Sequence, residues 1–121
     1  MAEKSAWEFI DSLGEDEKFS LTVFCPYTVL GPALSPDLGA TNVLVQMLTS
    51  GKLPATPNIH LGVVDVRDVA KAHVDAILNQ GSNNERFILC TSSFWLHEIS
   101  QILFEAGFTK VPKLRLSLIH I

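Results

Sequence analysis

Short β-branched and aromatic runs alternate with amphipathic stretches along this chain, and that alternation constrains the fold more than any other feature. Phe19 to Cys25, Leu61 to Val66 and Arg86 to Cys90 read as strands, the first expected to be buried on both faces. Residues 2–13 carry Ala6, Trp7, Ile10 and Leu13 on one helical face, closed by Gly14. A second helix is expected from about Thr41 to Ser50, with Val43, Leu44, Met47 and Leu48 as its apolar stripe and Gly51 behind it. A third follows Asp65, placed as an N-cap with Asp68 near the positive end of the helix dipole, and runs to about Asn79 before Gly81. A fourth, capped by the hydroxyls of Thr91, Ser92 and Ser93, presents Leu96, Ile99, Ile102, Leu103 and Ala106 and ends at Gly107. Helices interleaved with short strands imply an α/β layout with parallel pairing as the default.

Pro26, Gly31, Pro32, Pro36 and Gly39 make residues 26–40 a long irregular loop. Such loops are uncommon in compact domains unless they bind something. Pro54 and Pro57 keep the stretch around them extended. The 121 residues amount to one domain at most, and 47% hydrophobic content with 18% charge argues against disorder. No apolar run is long enough to span a bilayer, and no secretory signal opens the chain, so a membrane partner is not expected. Two cysteines are too few for a disulfide scaffold and suit the reducing cytoplasm. A net charge of −4 argues against a nucleic-acid surface.

Standard catalytic and phosphate-binding motifs are missing. The closest two glycines, Gly31 and Gly39, are eight residues apart. A dinucleotide-binding turn needs three glycines within six residues, so that the backbone can approach a pyrophosphate. His60, His73, His97 and His120 are scattered, His97-Glu98 lacks a second histidine one turn on, and Cys25 and Cys90 have no partner at C-x-x-C spacing. No metal site is expected. Cys25 and Cys90 each end a strand and read as small buried hydrophobes, and His73 as a partly buried or surface histidine. Gly-x-Ser-x-Gly is absent, and the only tyrosine, Tyr27, has Gly31 rather than lysine four residues on. No catalytic residue is therefore expected in this chain.

Four segments carry a family resemblance. Cys25-Pro26-Tyr27-Thr28-Val29-Leu30-Gly31-Pro32 resembles the strand-end P-x-x-V-x-G-P motif of extended short-chain dehydrogenase/reductases. Val63-Val64-Asp65-Val66-Arg67-Asp68-Val69-Ala70-Lys71-Ala72-His73 resembles a later signature of the same superfamily, in the version of dihydroflavonol, cinnamoyl-CoA and ketone or methylglyoxal-type reductases. The opening Ala2-Glu3-Lys4-Ser5-Ala6-Trp7-Glu8-Phe9 is similar to a helix of that branch, and Arg86 to Cys90 with the helix after it to the branch's last core strand and helix.

This resemblance implies that residues 1–114 form the C-terminal portion of a Rossmann-type doubly wound parallel sheet, with part of the substrate-binding lobe. The glycine-rich turn and the catalytic Tyr-x-x-x-Lys would lie upstream of Met1. By the same analogy Pro26 and the backbone of Tyr27, Thr28 and Val29 would border the nicotinamide of NADP or NAD, with NADP favoured. Leu30, Gly31, Gly62 and Val63 would lie near a small carbonyl substrate. Tyr27 stands where the family usually has a small residue. Asp65, Arg67 and Asp68 are expected to cap a helix and tie it to the sheet.

The parent would reduce an aldehyde or ketone by hydride transfer, while this chain alone is expected to be inactive and to associate or aggregate through an exposed sheet edge. A non-catalytic truncated isoform acting as a binding module is the alternative; within enzymes, a sugar-nucleotide epimerase or steroid dehydrogenase. Beyond Leu114 the chain departs from the family pattern. Leu116 to Ile121 matches, codon for codon, an in-frame translation of a transposase-type library adapter, so residues 115–121 are expected to be foreign.

Overall fold

The computed structural model describes residues 2–36 and 39–116. The expectation for the tail therefore lies, from Ser117 to Ile121, outside the described residues. Helix α1 (Ala2–Ser12) buries Ile10 and half-buries Ala6 and Trp7, the face its spacing predicts. Strand β1 (Val23–Pro26) is followed by β2 (Thr28–Leu30), helix α2 (Ala40–Thr49), β3 (Ala55–Thr56) and β4 (His60–Asp65). Helix α3 (Val66–Leu78) and a 3-10 turn (Gln80–Ser82) lead to β5 (Arg86–Leu89), β6 (Ser92–Trp95), helix α4 (Leu96–Glu105) and β7 (Leu114–Arg115).

The strands form three small ladders. β1 pairs in parallel with β5, Cys25 opposite Ile88; β3 pairs in parallel with β7. β4 lies between β2, parallel to it, and β6, antiparallel to it. α1 is tied to β5 by an ion pair between Glu3 and Arg86, 2.7 Å long. Among the described residues the buried hydrophobic core is Ile10, Leu48, Val64, Leu96 and Val111. Thr56 is fully buried and its hydroxyl donates to the Leu114 carbonyl, 3.2 Å away, joining β3 to β7.

The α/β layout matches the sequence reading, and several details correct it. The stretch 26–40 contains a strand, β2, because Thr28, Val29 and Leu30 find parallel partners in Val63, Val64 and Asp65. Flanking Pro26 and Gly31 disguise that strand as loop. Ser92 and Ser93 pair with β4 instead of capping α4, whose start is set by the Glu98 carboxylate accepting the Trp95 N–H at 2.7 Å. The resulting β4–β6 pair is antiparallel, against the parallel default. β1 is half-buried rather than covered on both faces, and Phe19 is exposed. Among the described residues β5 is its only pairing neighbour, so little covers it.

The helical stripes shift as well. In α2 Leu48 is buried and Leu44 and Val45 half-buried, whereas Val43 and Met47 face outward. In α4 Leu96 and Ser100 are buried and Ile102 and Ala106 are exposed. Cys25 is half-buried, but Cys90 is exposed because it sits in the link between β5 and β6 rather than inside a strand.

Candidate functional site

A fork in the sheet positions the candidate site. Tyr27 alone separates β1 from β2, and its N–H donates to the Leu89 carbonyl at 3.0 Å. Cys90 and Thr91 separate β5 from β6, and the Thr91 N–H donates to the Val63 carbonyl at 2.9 Å. The two strands that run side by side as β1 and β5 thus continue as β2 and β6 on opposite sides of β4.

Gly62 lies at the mouth of that fork. A Cβ there would meet Tyr27 Cδ1 at 2.7 Å, Tyr27 Cγ at 2.8 Å and Cys90 Sγ at 3.1 Å. The tyrosine ring therefore rests on the Gly62 backbone, its other parts open to solvent. The clash is with Cγ and Cδ1, near the root of the ring, so the ring must shift to admit a methyl group. Gly62→Ala is expected to cost about 1–3 kcal/mol of stability, as overpacking does. Tyr27→Ala should rescue most of it, and a double-mutant cycle from urea melts would show no coupling if the ring lies elsewhere.

Past the fork, the carboxyl ends of β2 and β4 open into a pocket of about 340 Å³. Leu30, Gly31, Val63 and Val64 form its strand side, Asp65 and Asp68 one rim, and Thr91, Ser92 and Phe94 the other. Ligands of open α/β sheets collect beyond the carboxyl ends of strands, where neighbouring connections diverge. Gly31 takes φ +146°, a conformation that L side chains rarely adopt.

Asp65 caps α3 as its position predicts. Its Oδ1 accepts from the Arg67 backbone N–H at 2.8 Å and from Arg67 Nε at 2.9 Å, while Oδ2 accepts from Nη2 at 2.6 Å. The Arg67 guanidinium, followed by the Arg67 N–H, holds the Asp65 carboxyl down at about 2. A depressed carboxylate contributes stability that is complete above its ordinary value of 3.8 and lost as pH falls through about 2. Urea midpoints measured from pH 5 to pH 2 should therefore fall more steeply for the native chain than for Asp65→Asn, which keeps a capping oxygen but cannot titrate. Parallel curves would remove Asp65 from the acid response.

Of the residues singled out in the sequence, Leu30, Gly31 and Val63 meet in the 340 Å³ pocket. Gly62 does not line that pocket and lies under Tyr27. Pro26 and Tyr27 are exposed at the end of β1 and border a separate hollow of about 240 Å³ with Cys25, Arg86 and Ile88. Thr28 and Val29 are half-buried in β2, where the Val29 carbonyl accepts from the Thr41 hydroxyl at 2.6 Å. Of the eight residues, three thus line one hollow and two another, while Thr28, Val29 and Gly62 line neither. Sequence reasoning missed Thr91 and Ser92, whose hydroxyls read as helix caps. His73 is exposed on α3, its Nδ1 2.8 Å from the Val69 carbonyl and its ring 4.5 Å from that of Phe24. Among the described residues no three His, Cys, Asp or Glu side chains gather as a metal site, and no helix is long and apolar enough to cross a membrane.

No protein-family model matches the chain. It is 33% identical over 113 residues to the NADPH-dependent methylglyoxal reductase of Saccharomyces cerevisiae, covering 86% of this chain and 32% of that protein. To cinnamoyl-CoA reductase 1 of Arabidopsis thaliana it is 36% identical over 103 residues, covering 85% of this chain and 28% of that one. The crystal structure of the yeast methylglyoxal/isovaleraldehyde reductase complexed with NADPH superposes with a TM-score of 0.83 and 31% identity, covering 93% of this chain and 35% of its own. The chain spans about a third of the length of the curated relatives it matches.

Proposed function

Because the chain belongs to the extended short-chain dehydrogenase/reductase family, corresponding to the C-terminal part of its NADPH-dependent reductases, we propose that residues 2–114 form the nicotinamide border and substrate wall of such a carbonyl reductase. The fork carries this reading: β1 and β5 end together and diverge around β4, leaving a crevice at the carboxyl ends of the strands.

The residues present suit one end of the cofactor. Pro26 and Tyr27 offer an exposed, largely apolar border at the strand end, fit for a flat ring. Nothing here suits the phosphates, since no glycine-rich turn is present. NADPH, when bound, supplies the hydride. The chain's own residues position and shield. The bond from the Tyr27 N–H to Leu89 and that from Thr41 to the Val29 carbonyl hold the 27–29 backbone in place. Leu30, Val63 and Phe94 give the 340 Å³ pocket an apolar wall for the hydrocarbon part of a substrate, and Thr91 and Ser92 line its rim with hydroxyl-bearing side chains. On the family resemblance, the proton donor and the pyrophosphate turn would come from outside this segment.

A grafting experiment tests the reading. Residues 2–114 replace the matching segment of the yeast methylglyoxal reductase, and NADPH oxidation is followed at 340 nm (the usual absorbance of the reduced nicotinamide). The chimera is expected to keep methylglyoxal turnover with kcat/KM within about tenfold, or 1.4 kcal/mol, of the yeast enzyme. The isolated chain is expected to show none. A folded chimera that binds NADPH yet reduces no aldehyde or ketone would sink the assignment.

A second reading, an associating module, draws support from apolar exposure. Ile77 and Leu78 on α3 are 85% and 79% exposed, and Ile88 on β5 is exposed as well. Apolar area on that scale favours contact with another surface, and it is compatible with the same segment serving inside a longer reductase.

A further inference from the structure

The segment Phe19 to Cys25 has the composition of a strand buried on both faces, yet β1 lies at an edge. The Val23 N–H donates to the Glu85 carbonyl and the Tyr27 N–H to the Leu89 carbonyl, each at 3.0 Å. Successive backbone groups of a strand point in opposite directions, so those of Thr22 and Phe24 turn away from β5. Among the described residues no strand pairs with β1 on that side. Strands that remain at an edge are guarded by lysine, proline or an inward charge. None of residues 19–25 is charged, and none is proline. A parallel strand is ordinarily an interior one, and a two-stranded ladder such as β1–β5 is marginal alone.

A groove of about 470 Å³ accompanies the open edge. Ser20, Thr22 and Phe24 line it from one face of the strand, and His73, Ala76 and Ile77 from α3. No residue of β5 lines it, whereas Phe87 and Leu89 of β5 line the next hollow, on the other side of Ala76. The groove therefore opens on the side of β1 away from β5. It is lined by no Asp, Glu, Lys or Arg. Beside it α3 turns Val74, Ile77 and Leu78 outward. Free main-chain groups and an uncharged slot for alternate side chains are the two components of recognition by strand addition.

We propose that the open edge of β1 and this groove take up a third strand, uncharged and rich in β-branched residues, supplied in trans by the part of a reductase of this family that the chain does not match. The proposal rests on the family reading, and it gives the associating module a partner. The chain spans 32% of the yeast methylglyoxal reductase, so the larger part of such a protein remains to supply the strand. The added strand bonds to the backbone of Thr22 and Phe24 and lays its inward side chains between the strand and Ile77.

Complex formation tests this without recourse to activity. The full chain is co-expressed with a tagged yeast methylglyoxal reductase that lacks the matching segment, and the purified material is sedimented. A one-to-one complex is expected. Ile77→Asp and Ser20→Lys place a charge in the groove, at residues whose exposure leaves the chain's own fold intact. Each should weaken the complex by about tenfold or more. Phe108→Asp, at a half-exposed residue outside the groove, should change it by no more than about twofold.

No complex, a complex that neither groove variant weakens, or a chain that pairs with itself and leaves the yeast polypeptide unbound would each overturn the proposal. A groove-dependent complex that reduces no aldehyde or ketone upholds the docking and counts against the carbonyl-reductase reading alone. An active graft with no complex in trans counts against the docking alone.

Discussion

Truncating Leu48 to alanine is expected to lower stability by about 2–5 kcal/mol, the range for emptying a fully buried leucine site. Leu48 has no exposed surface, and among the described residues it shares the hydrophobic core with Ile10, Val64, Leu96 and Val111. With so small a core, each member carries a large share of a net stability that rarely exceeds 5–15 kcal/mol in any domain (an order-of-magnitude range). The side chain also locates α2, whose Thr41 hydroxyl holds the Val29 carbonyl; loosening that helix loosens the strand behind the candidate site. At a urea dependence of roughly 1–3 kcal/mol per molar, the midpoint should fall by about 0.7–5 M. Ile77→Ala is the control, since that residue is 85% exposed and its loss should stay within about 0.5 kcal/mol. A Leu48→Ala midpoint no lower than that of Ile77→Ala would show that α2 does not pack as described.

What could be read from the residues, and what could not, follows from the range of the interactions involved. α1, α2 and α3 announce themselves locally, through apolar spacing, glycine stops and the Asp65 cap, and all three form where expected. The motif Pro26 to Pro32 and the segment Val63 to His73 pointed to the reductase family, and relatives 33% and 36% identical bear that out. β2 and β6 escaped because three or four residues between breakers or hydroxyls become a strand only when β4, some thirty residues away in each direction, arrives beside them. No local propensity encodes that meeting. The same holds for Tyr27. Its ring lies on Gly62, and a tyrosine in place of a small residue makes sense only once a glycine opposite is seen to receive it. Helix faces failed for a related reason. Val43, Met47 and Ile102 are apolar and periodic, yet which side of a helix turns inward depends on what lies beside it, and here those residues face out.

Gly31→Ala is the second large effect, and it separates two costs that act at one position. The backbone there, at φ +146°, is one that an L side chain holds only under strain, about 1–3 kcal/mol. The added Cβ would also lie 2.7 Å from Val66 Cγ1 and 3.4 Å from Val66 Cβ, at the first residue of α3, which adds about 1–3 kcal/mol of overpacking. Together they predict a loss of about 2–6 kcal/mol, since the backbone of β2 and the start of α3 are both pinned and neither relaxes freely. Val66→Ala removes the closest atom and none of the strain. In the double variant Gly31→Ala/Val66→Ala the steric part should therefore return and the conformational part persist, leaving the pair about 1–3 kcal/mol below Val66→Ala alone. Complete rescue would mean that the β2–α3 junction tolerates a side chain at residue 31 and that only contact keeps glycine there. In the grafted reductase the same substitution should act on turnover beyond its effect on folding, because Gly31 lines the pocket beside Asp65 and Leu30. A loss of kcat/KM with methylglyoxal in chimera that still melts as a folded protein would place residue 31 at the substrate, whereas a loss that only follows the folded fraction would confine it to the scaffold.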